Sequence, residues 1–564
     1  MPGRLKGRVI SDFNGDVLVG YLNNLSVGPA CAMTAMPFGQ VFQILADPTH
    51  LAWSNDPDFV VIWCQPWSVL PSFQKLMNAQ HAQPKDIEQE ATALANQIKQ
   101  KASQVKHVFV CLFTLPHHYR GLGPMDYGKM GIRRSLHRAN AILLDILGEE
   151  PNVVFKDPGQ WQNMVGPKAV NPKLWYVSKI PYDLEVFKAA ALDIKESLGV
   201  FGGHSKKVII LDLDNTLWGG ELGDVGMHHL KLGGHDPIGE AFVDFQRQLK
   251  MLKARGMVLA IVSKNDEHTA LKTISSHPEM VLRQTDFAAW RINWSDKAQN
   301  IINLLHELNL PPTAAVFIDD HPGERDRVKT SLSDITVPPW PSDPFVFAQT
   351  ILSMPYFDTV ALTKEDLRRT EMYQAEQKRQ VLKQPAMSVK DWLKTLHVVL
   401  TIEELDESNM SRAVQLLNKT NQMNLRTRRL TEQELNLWAK GDGRQVFVVR
   451  VQDDLGDFGL TGLLSLTITP EQTQLEDFIL SCRVFGRFIE DAMLAKAVHV
   501  AAGKSRILRA DFIPTDKNQP CLDFLRRSGL ADSGTNGFVW DLAKPYAYPE
   551  VLTIQDRVPT KTGK

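Results

Sequence analysis

The stretch Val208-Ile-Ile-Leu-Asp212-Leu-Asp214-Asn-Thr216-Leu-Trp218-Gly-Gly220 constrains this chain more than any other. Its short apolar run, rich in β-branched residues, predicts a buried strand. The run then delivers two carboxylates, two residues apart, at its C-terminal end. Residues i and i+2 of a strand point to the same side. Asp212 and Asp214 therefore start close together, at the edge where open α/β sheets hold their ligands. Clustered carboxylates repel unless a cation or a shared proton lies between them. The pair is a candidate for binding Mg²⁺ and for dividing labour between a nucleophile and an acid/base.

Asp-x-Asp alone would also fit an acidic turn. Three further stretches, in order, shift the balance. Val258-Leu-Ala-Ile-Val262-Ser263-Lys264-Asn265 predicts a second strand, ending in a hydroxyl. Lys297 opens a segment with Ile301, Leu305 and Leu308 at helical spacing. Ala315-Val-Phe-Ile-Asp319-Asp320 predicts a third strand, ending in paired acids. This order resembles the four motifs of the haloacid-dehalogenase (HAD) phosphotransferase superfamily. The resemblance implies that Asp212 attacks phosphorus and that Asp214 serves as general acid and then base. It implies that Ser263, Lys264 and Lys297 bind the phosphate. Asp319 and Asp320 would hold Mg²⁺ together with Asp212 and the backbone carbonyl of Asp214.

The gap between Asp212 and Ser263 holds a Gly-rich hairpin segment and one helix. The next gap, to Lys297, holds a helix and a strand-like piece around Met280-Val-Leu282. Neither has room for a cap domain. A capless site is open, and it suits a large substrate unless another part of the chain closes it against water.

At 564 residues the chain exceeds one core, and two to four domains are expected. The net charge of −1 and 43% hydrophobic content give no electrostatic case for nucleic acid or a membrane surface. No apolar run approaches a membrane span, and the N-terminus lacks the apolar core of a secretory signal. Five scattered cysteines, Cys31, Cys64, Cys111, Cys482 and Cys521, without a CxxC pair, predict free thiols, a reducing cytoplasm and no structural zinc.

The expected fold class is α/β and multidomain. Residues 1–200 alternate strand-like and helix-like segments, as in a doubly wound domain. They open with Val9-Ile-Ser11-Asp12-Phe-Asn14, where a hydrolase of the SGNH type carries Gly-Asp-Ser. The order here is wrong, so an SGNH-like domain without its hydrolase motif is expected. A capless HAD core follows over 201–355, then a helical linker over 356–387. An α+β domain is expected over 388–545, and a loosely ordered tail over 546–564.

The α+β segment resembles an acyltransferase of the GNAT class. There, Arg-x-x-Gly-x-Gly/Ala at a helix N-terminus binds the pyrophosphate of an acyl-CoA. This chain has Arg483-x-x-Gly486-x-Phe488. A bulky Phe488 would crowd a pyrophosphate, whereas a carrier-bound phosphopantetheine lacks that group.

DLDNTLWGG, VSKNDE, Met280 to Trp294, NKTNQMNLRTRRLT, SCRVFGR and IPTDKN together resemble the FkbH family over nearly the whole chain. That resemblance implies a bifunctional glyceryl transferase/phosphatase. It would take the glyceryl unit of 1,3-bisphosphoglycerate, remove phosphate at the Mg²⁺-dependent HAD site and load glyceryl as a thioester on an acyl carrier protein for polyketide-type biosynthesis. Within this reading Cys482 is the candidate nucleophile. It stands beside Arg483 and near a predicted helix N-terminus, where cation and dipole favour thiolate. Asn421, Gln422, Asn424, Arg483, Gly486 and Asn518 are candidates for holding the acyl group or pantetheine. Arg426, Arg428 and Arg429 are candidates for the carrier's acidic surface or a phosphate. Cys31, Cys64 and Cys111 are expected in the core and Cys521 at the surface. The alternative is a phosphatase of a sugar or acyl phosphate fused to an N- or O-acyltransferase.

Overall fold

The computed structural model describes residues 4–54, 56–116, 118–202, 206–359, 370–372, 375, 389–534 and 536–558. The chain divides into two units, Met1–Gly199 and Val200–Lys564. Most of the expected linker, and most of its charged run Lys364 to Leu382, lies outside the described residues.

The first unit is built on five parallel strands: β1 (Leu5–Ser11), β2 (Cys31–Ala35), β3 (Phe59–Trp63), β4 (His107–Cys111) and β5 (Val153–Lys156). Their order, β2-β1-β3-β4-β5, places a topological switch between β1 and β3. Every residue of β3 is buried, which its unbroken apolar run requires of a strand covered on both faces. Helices Pro84–Ala102 and Ile132–Leu147 pack Ile87, Leu94, Leu136 and Leu143 against Val60 and Ile62. Trp63 stacks on Tyr182 at 5.2 Å and meets Phe13 edge-on at 5.4 Å.

The second unit carries two sheets. The first holds β6 (Val208–Leu211), β7 (Val258–Ser263), β8 (Phe287–Ile292) and β9 (Ala315–Ile318), all parallel, in the order β8-β7-β6-β9. Helix Pro237–Ala254 covers one face with Phe242, Phe245 and Leu249. Helix Lys297–Glu307 covers the other with Ile301, Leu304 and Leu305. The strand expected near Met280 forms later, at β8. Met280 and Leu282 are buried loop residues, held where the Gln246 side chain accepts from the amides of Val281 and Leu282.

The second sheet is mixed and has nine strands: β10 (Val399–Glu404), β11 (Met423–Asn424), β12 (Arg444–Asp453), β13 (Gly456–Ile468), β14 (Gln472–Leu480), β15 (Ile507–Asp511), β16 (Ala531–Asp532), β17 (Gly537–Asp541) and β18 (Thr553–Asp556). β14 and β15 run parallel, paired through Gln472–Leu475 against Ile507–Ala510. Beyond that register the wedge between them is filled by the chain itself. β11 pairs with Ile479 and Leu480, Leu425 N donates to Phe478 O at 3.2 Å, and Ile513 N donates to Leu425 O at 3.0 Å.

One expectation changes here. The tail is not loose throughout, because Thr553–Asp556 adds a parallel strand to β10. The helix Glu407–Lys419 ends at the start of the polar stretch, and the chain then enters β11.

Candidate functional site

Register builds the acidic site. Leu211 pairs with Ile318, so Asp212 and Asp319 emerge side by side, with Asp212 N donating to Ile318 O at 3.0 Å. Carboxylate oxygens of Asp212, Asp319 and Asp320 lie within 4.8 Å of one another. Lys297, the first residue of its helix, reaches between them. Its Nζ is 3.0 Å from Asp212 Oδ2 and 2.6 Å from Asp319 Oδ2. One ammonium faces three carboxylates, so two negative charges are left over. Asp212 Oδ1 is buried with no hydrogen-bond partner. This set fits a hard divalent cation such as Mg²⁺, which takes carboxylate oxygens.

The electrostatics agree. Burial, then the charge of Asp212, pushes the Asp319 carboxyl up to about 6. Burial, then Asp212, also raises Asp320. The opposing charges of Asp212 and Asp319 outweigh burial at Lys297, whose ammonium is held above its ordinary value. The backbone is fixed as well: Arg325 donates to the carbonyls of Asp319 and Asp320 at 2.7 and 2.6 Å.

Asp214 lies beyond Asp212 in a turn that Asn215 closes in a left-handed conformation, accepting from Gly220 N at 2.9 Å. Its Oδ1 accepts from Trp218 Nε1 and Leu222 N at 2.8 and 3.1 Å, and its Oδ2 accepts from Asn265 at 2.8 Å. Burial is the largest influence on this carboxyl and raises its pKa, as suits a proton donor. Ser263, buried, ends β7. Lys264 points to Glu324, at 2.7 Å, and is 40% exposed, so it stands at the rim with a partner of its own. Arg325, Thr216, Trp218 and Asn265 complete the site. Thr216, Trp218 and Asn265 stand inside the stretches that carry the acids and Ser263, so their nearness to the site was legible, whereas Arg325 lies outside them.

The remaining candidates separate into two groups. Cys482, Arg483, Asn421 and Gln422 line a cavity of about 790 Å³ between the β6–β9 core and the mixed sheet. Gly486 lines an adjoining cavity of about 500 Å³ that shares Cys482, Arg483 and Gln422. Cys482 is the one cysteine of the five that is not buried. It opens a single 3-10 turn, Cys482–Val484, and the long helix Ile489–Ala501 begins well after it, so no helix dipole acts on the thiol. Phe488, the motif's departing residue, sits in the left-handed region at φ 62°, a conformation that a glycine takes without strain.

Asn424 and Asn518 do not reach the cavity. Both are 0% exposed. Asn424 bonds to Thr420 O and Thr427 N, and Asn518 clamps Asn424 O and Ile513 O at 3.0 and 2.9 Å. Their amides hold the β11 wedge shut and are not available to a ligand. The three arginines are likewise committed. Arg426 pairs with Glu476, Arg428 forks onto Asp477, and Arg429 donates to Leu417 O and Asn421 Oδ1. Cys521 is fully buried, not at the surface, and burial pushes its thiol up to about 12. In the first unit Ser11 Oγ is buried and donates to Phe13 O at 2.6 Å, so it is no exposed nucleophile. Among the described residues no helix is long and apolar enough to cross a membrane.

No family model matches this chain, and no curated protein matches it. Among solved structures it resembles the N-terminal part of the protein BF1531 from Bacteroides fragilis, which contains a phosphatase domain and is complexed with Mg. The identity is 25% and the TM-score 0.58, over 64% of this chain and 95% of that one. The match thus extends well beyond the β6–β9 core. A GNAT-family acetyltransferase from Desulfovibrio desulfuricans overlaps 26% of this chain and 99% of its own at 14% identity, but a TM-score of 0.20 is too poor a superposition to speak for the fold.

Proposed function

We propose that this chain is a Mg²⁺-dependent phosphatase of the HAD type joined to an acyl-transfer module of the GNAT type, and that it belongs to the FkbH family. The observation that carries the phosphatase half is the trio Asp212, Asp319 and Asp320 around Lys297, with Asp212 Oδ1 buried and unpartnered. The likeness to a phosphatase domain complexed with Mg supports it. The trio would hold the ion, which when bound would neutralise charge on the phosphoryl oxygens.

The residues divide the work. The free Oδ1 of Asp212 attacks phosphorus and takes the phosphoryl group. Asp214, with its raised pKa, gives a proton to the departing oxygen. As carboxylate it then takes a proton from the water that cleaves the aspartyl-phosphate. Lys297 balances the charge passed between Asp212 and the phosphate, and Ser263 steadies a phosphoryl oxygen.

For the acyl half, Cys482 is the nucleophile. It is the accessible thiol and it faces a cavity large enough for an acyl chain. An acyl phosphate such as 1,3-bisphosphoglycerate is activated, so the thiolate attacks the C1 carbonyl, the C1 phosphate leaves as inorganic phosphate, and the 3-phosphoglyceryl unit stays on sulfur as a thioester; hydrolysis of the 3-phosphate ester at the acidic site then leaves the glyceryl unit. A phosphopantetheinylated acyl carrier protein then receives it.

Intact-protein mass spectrometry tests the reading. The protein is incubated with Mg²⁺, freshly generated 1,3-bisphosphoglycerate and a phosphopantetheinylated carrier. A glyceryl mass on the carrier is expected. Free phosphate without an acyl adduct on either protein would leave only a phosphatase.

A further inference from the structure

The cavity beside Cys482 is electrically lopsided. Among the described residues, Lys206, Lys207, Arg412, Lys419, Arg483 and Lys517 line it, against the acids Asp334 and Asp516. Two of these cations come from different walls of the cavity. Lys206 belongs to the segment that enters β6, and Lys517 to the loop after β15. The Lys206 ammonium donates to the carbonyl of Thr313 at 2.8 Å, a neutral partner, and Lys517 lines the same cavity. Burial first, and Lys517 second, holds Lys206 below its ordinary pKa. Like charges facing across a cavity are stable when an anion sits between them. A phosphate group, with several acceptor oxygens, matches ammonium donors on two sides.

We propose that Lys206 and Lys517 form a phosphate-binding subsite in this cavity, separate from the acidic site, which anchors a phosphate-bearing ligand with its reacting end at Cys482. The proposal rests on the reading of Cys482 as the acyl-accepting thiol, and it names how that site recognises what it takes. Two ligands carry the required chemistry: a short acyl donor with a second, distal phosphate, and the phosphodiester of a pantetheine arm. Both need one phosphate held at a distance from the thioester carbon.

Protection of Cys482 from alkylation tests this without relying on turnover. The full chain is treated with iodoacetamide in EDTA, which keeps the acidic site idle, and the rate at Cys482 is read by peptide mass mapping. The probes are 3-phosphoglycerate against glycerate, and 4′-phosphopantothenate against pantothenate. The phosphorylated member of at least one pair slows alkylation, and its dephosphorylated partner does not. Protection by the first pair assigns the donor's phosphate, and protection by the second assigns the arm's.

In Lys206→Gln and Lys517→Gln the protecting ligand binds roughly tenfold or more weakly, as the loss of a charge-assisted hydrogen bond implies. Lys206→Arg, which keeps the charge, retains protection and controls for folding. Equal protection by both members of each pair, no protection by either, or full protection in the two glutamine variants would overturn the proposal. Phosphate-dependent protection with no acyl mass ever found on Cys482 would leave the subsite standing and remove the thioester reading.

Discussion

Asn309 Nδ2 donates to the backbone carbonyl of Cys482 at 2.5 Å. Asn309 lies two residues past the helix whose first residue, Lys297, bridges Asp212 and Asp319. That helix has 11 residues, so roughly 16 Å of rigid backbone stands between the acidic site and the thiol. The mixed sheet therefore docks at the end of the β6–β9 core opposite the carboxylates.

Replacing Lys297 by methionine removes the ammonium that offsets Asp212 and Asp319. Phosphate release should fall by about 10²- to 10³-fold, the usual cost of losing one preorganised charge partner of a transferring group. Cys482 alkylation should proceed at the wild-type rate, because the two places are held apart. Steady-state phosphate release and thiol mapping on the same preparation decide this. Retained phosphate release would remove Lys297 from the chemistry.

Mg²⁺ should raise the melting temperature of the wild-type chain, since an ion bound only by the folded state adds about 2.7 kcal/mol at a hundredfold excess over its Kd. In Asp319→Asn the gain should shrink or vanish. A calorimetric scan with and without EDTA measures both. An undiminished shift in the variant would place the ion elsewhere.

Asp12, at the switch point of the first unit, gives a pH signature. Burial raises its carboxyl to about 6, from an ordinary 3.8, while Oδ1 accepts from Gln65 N at 2.8 Å. The folded state therefore holds a proton that the unfolded chain releases earlier. Stability of this unit falls as pH rises from about 4 to 6 and is level above that. Asp12→Asn keeps the Gln65 bond and removes the charge. It should stabilise the chain at pH 7 by ~2 kcal/mol and flatten its denaturant midpoint between pH 4 and 6. A midpoint that still slopes as before would clear Asp12 of the effect.

Arg428 separates a structural arginine from a docking one. Its partner Asp477 is 1% exposed and also accepts from the Ser465 hydroxyl. Arg428→Ala leaves that carboxylate buried without its cation, with only the Ser465 hydroxyl to satisfy it, at a cost of about 3 kcal/mol. The folded fraction should load a carrier with unchanged KM. A raised KM at unchanged stability would return Arg428 to the carrier surface.

The acidic site was legible because each residue rides on a strand end or a helix start, where a local pattern fixes position. Asp212, Asp214, Ser263, Lys297, Asp319 and Asp320 all follow from apolar runs and what terminates them. β8 was misplaced because Met280-Val-Leu is as apolar as Phe287-Ala-Ala-Trp, and only the long-range contact with Gln246 makes the former a loop. Asn424 and Asn518 read as ligand groups because polar residues between apolar ones signal exposure or burial equally well. Which applies depends on β11, a two-residue strand too short to leave a period. The cavity around Cys482 joins residues some three hundred positions apart, and no local pattern encodes that.

The wedge filled by β11 has a kinetic consequence. The amides of Leu425 and Ile513 are locked by strands on either side, with Asn424 and Asn518 bolting the segment from within. Freeing them means parting β14 from its neighbours, which is a rupture of the sheet and not the breathing of a loop. These amides should exchange with deuterium only as slowly as the sheet itself comes apart, and at the same pace whether the cavity beside Cys482 is empty or full.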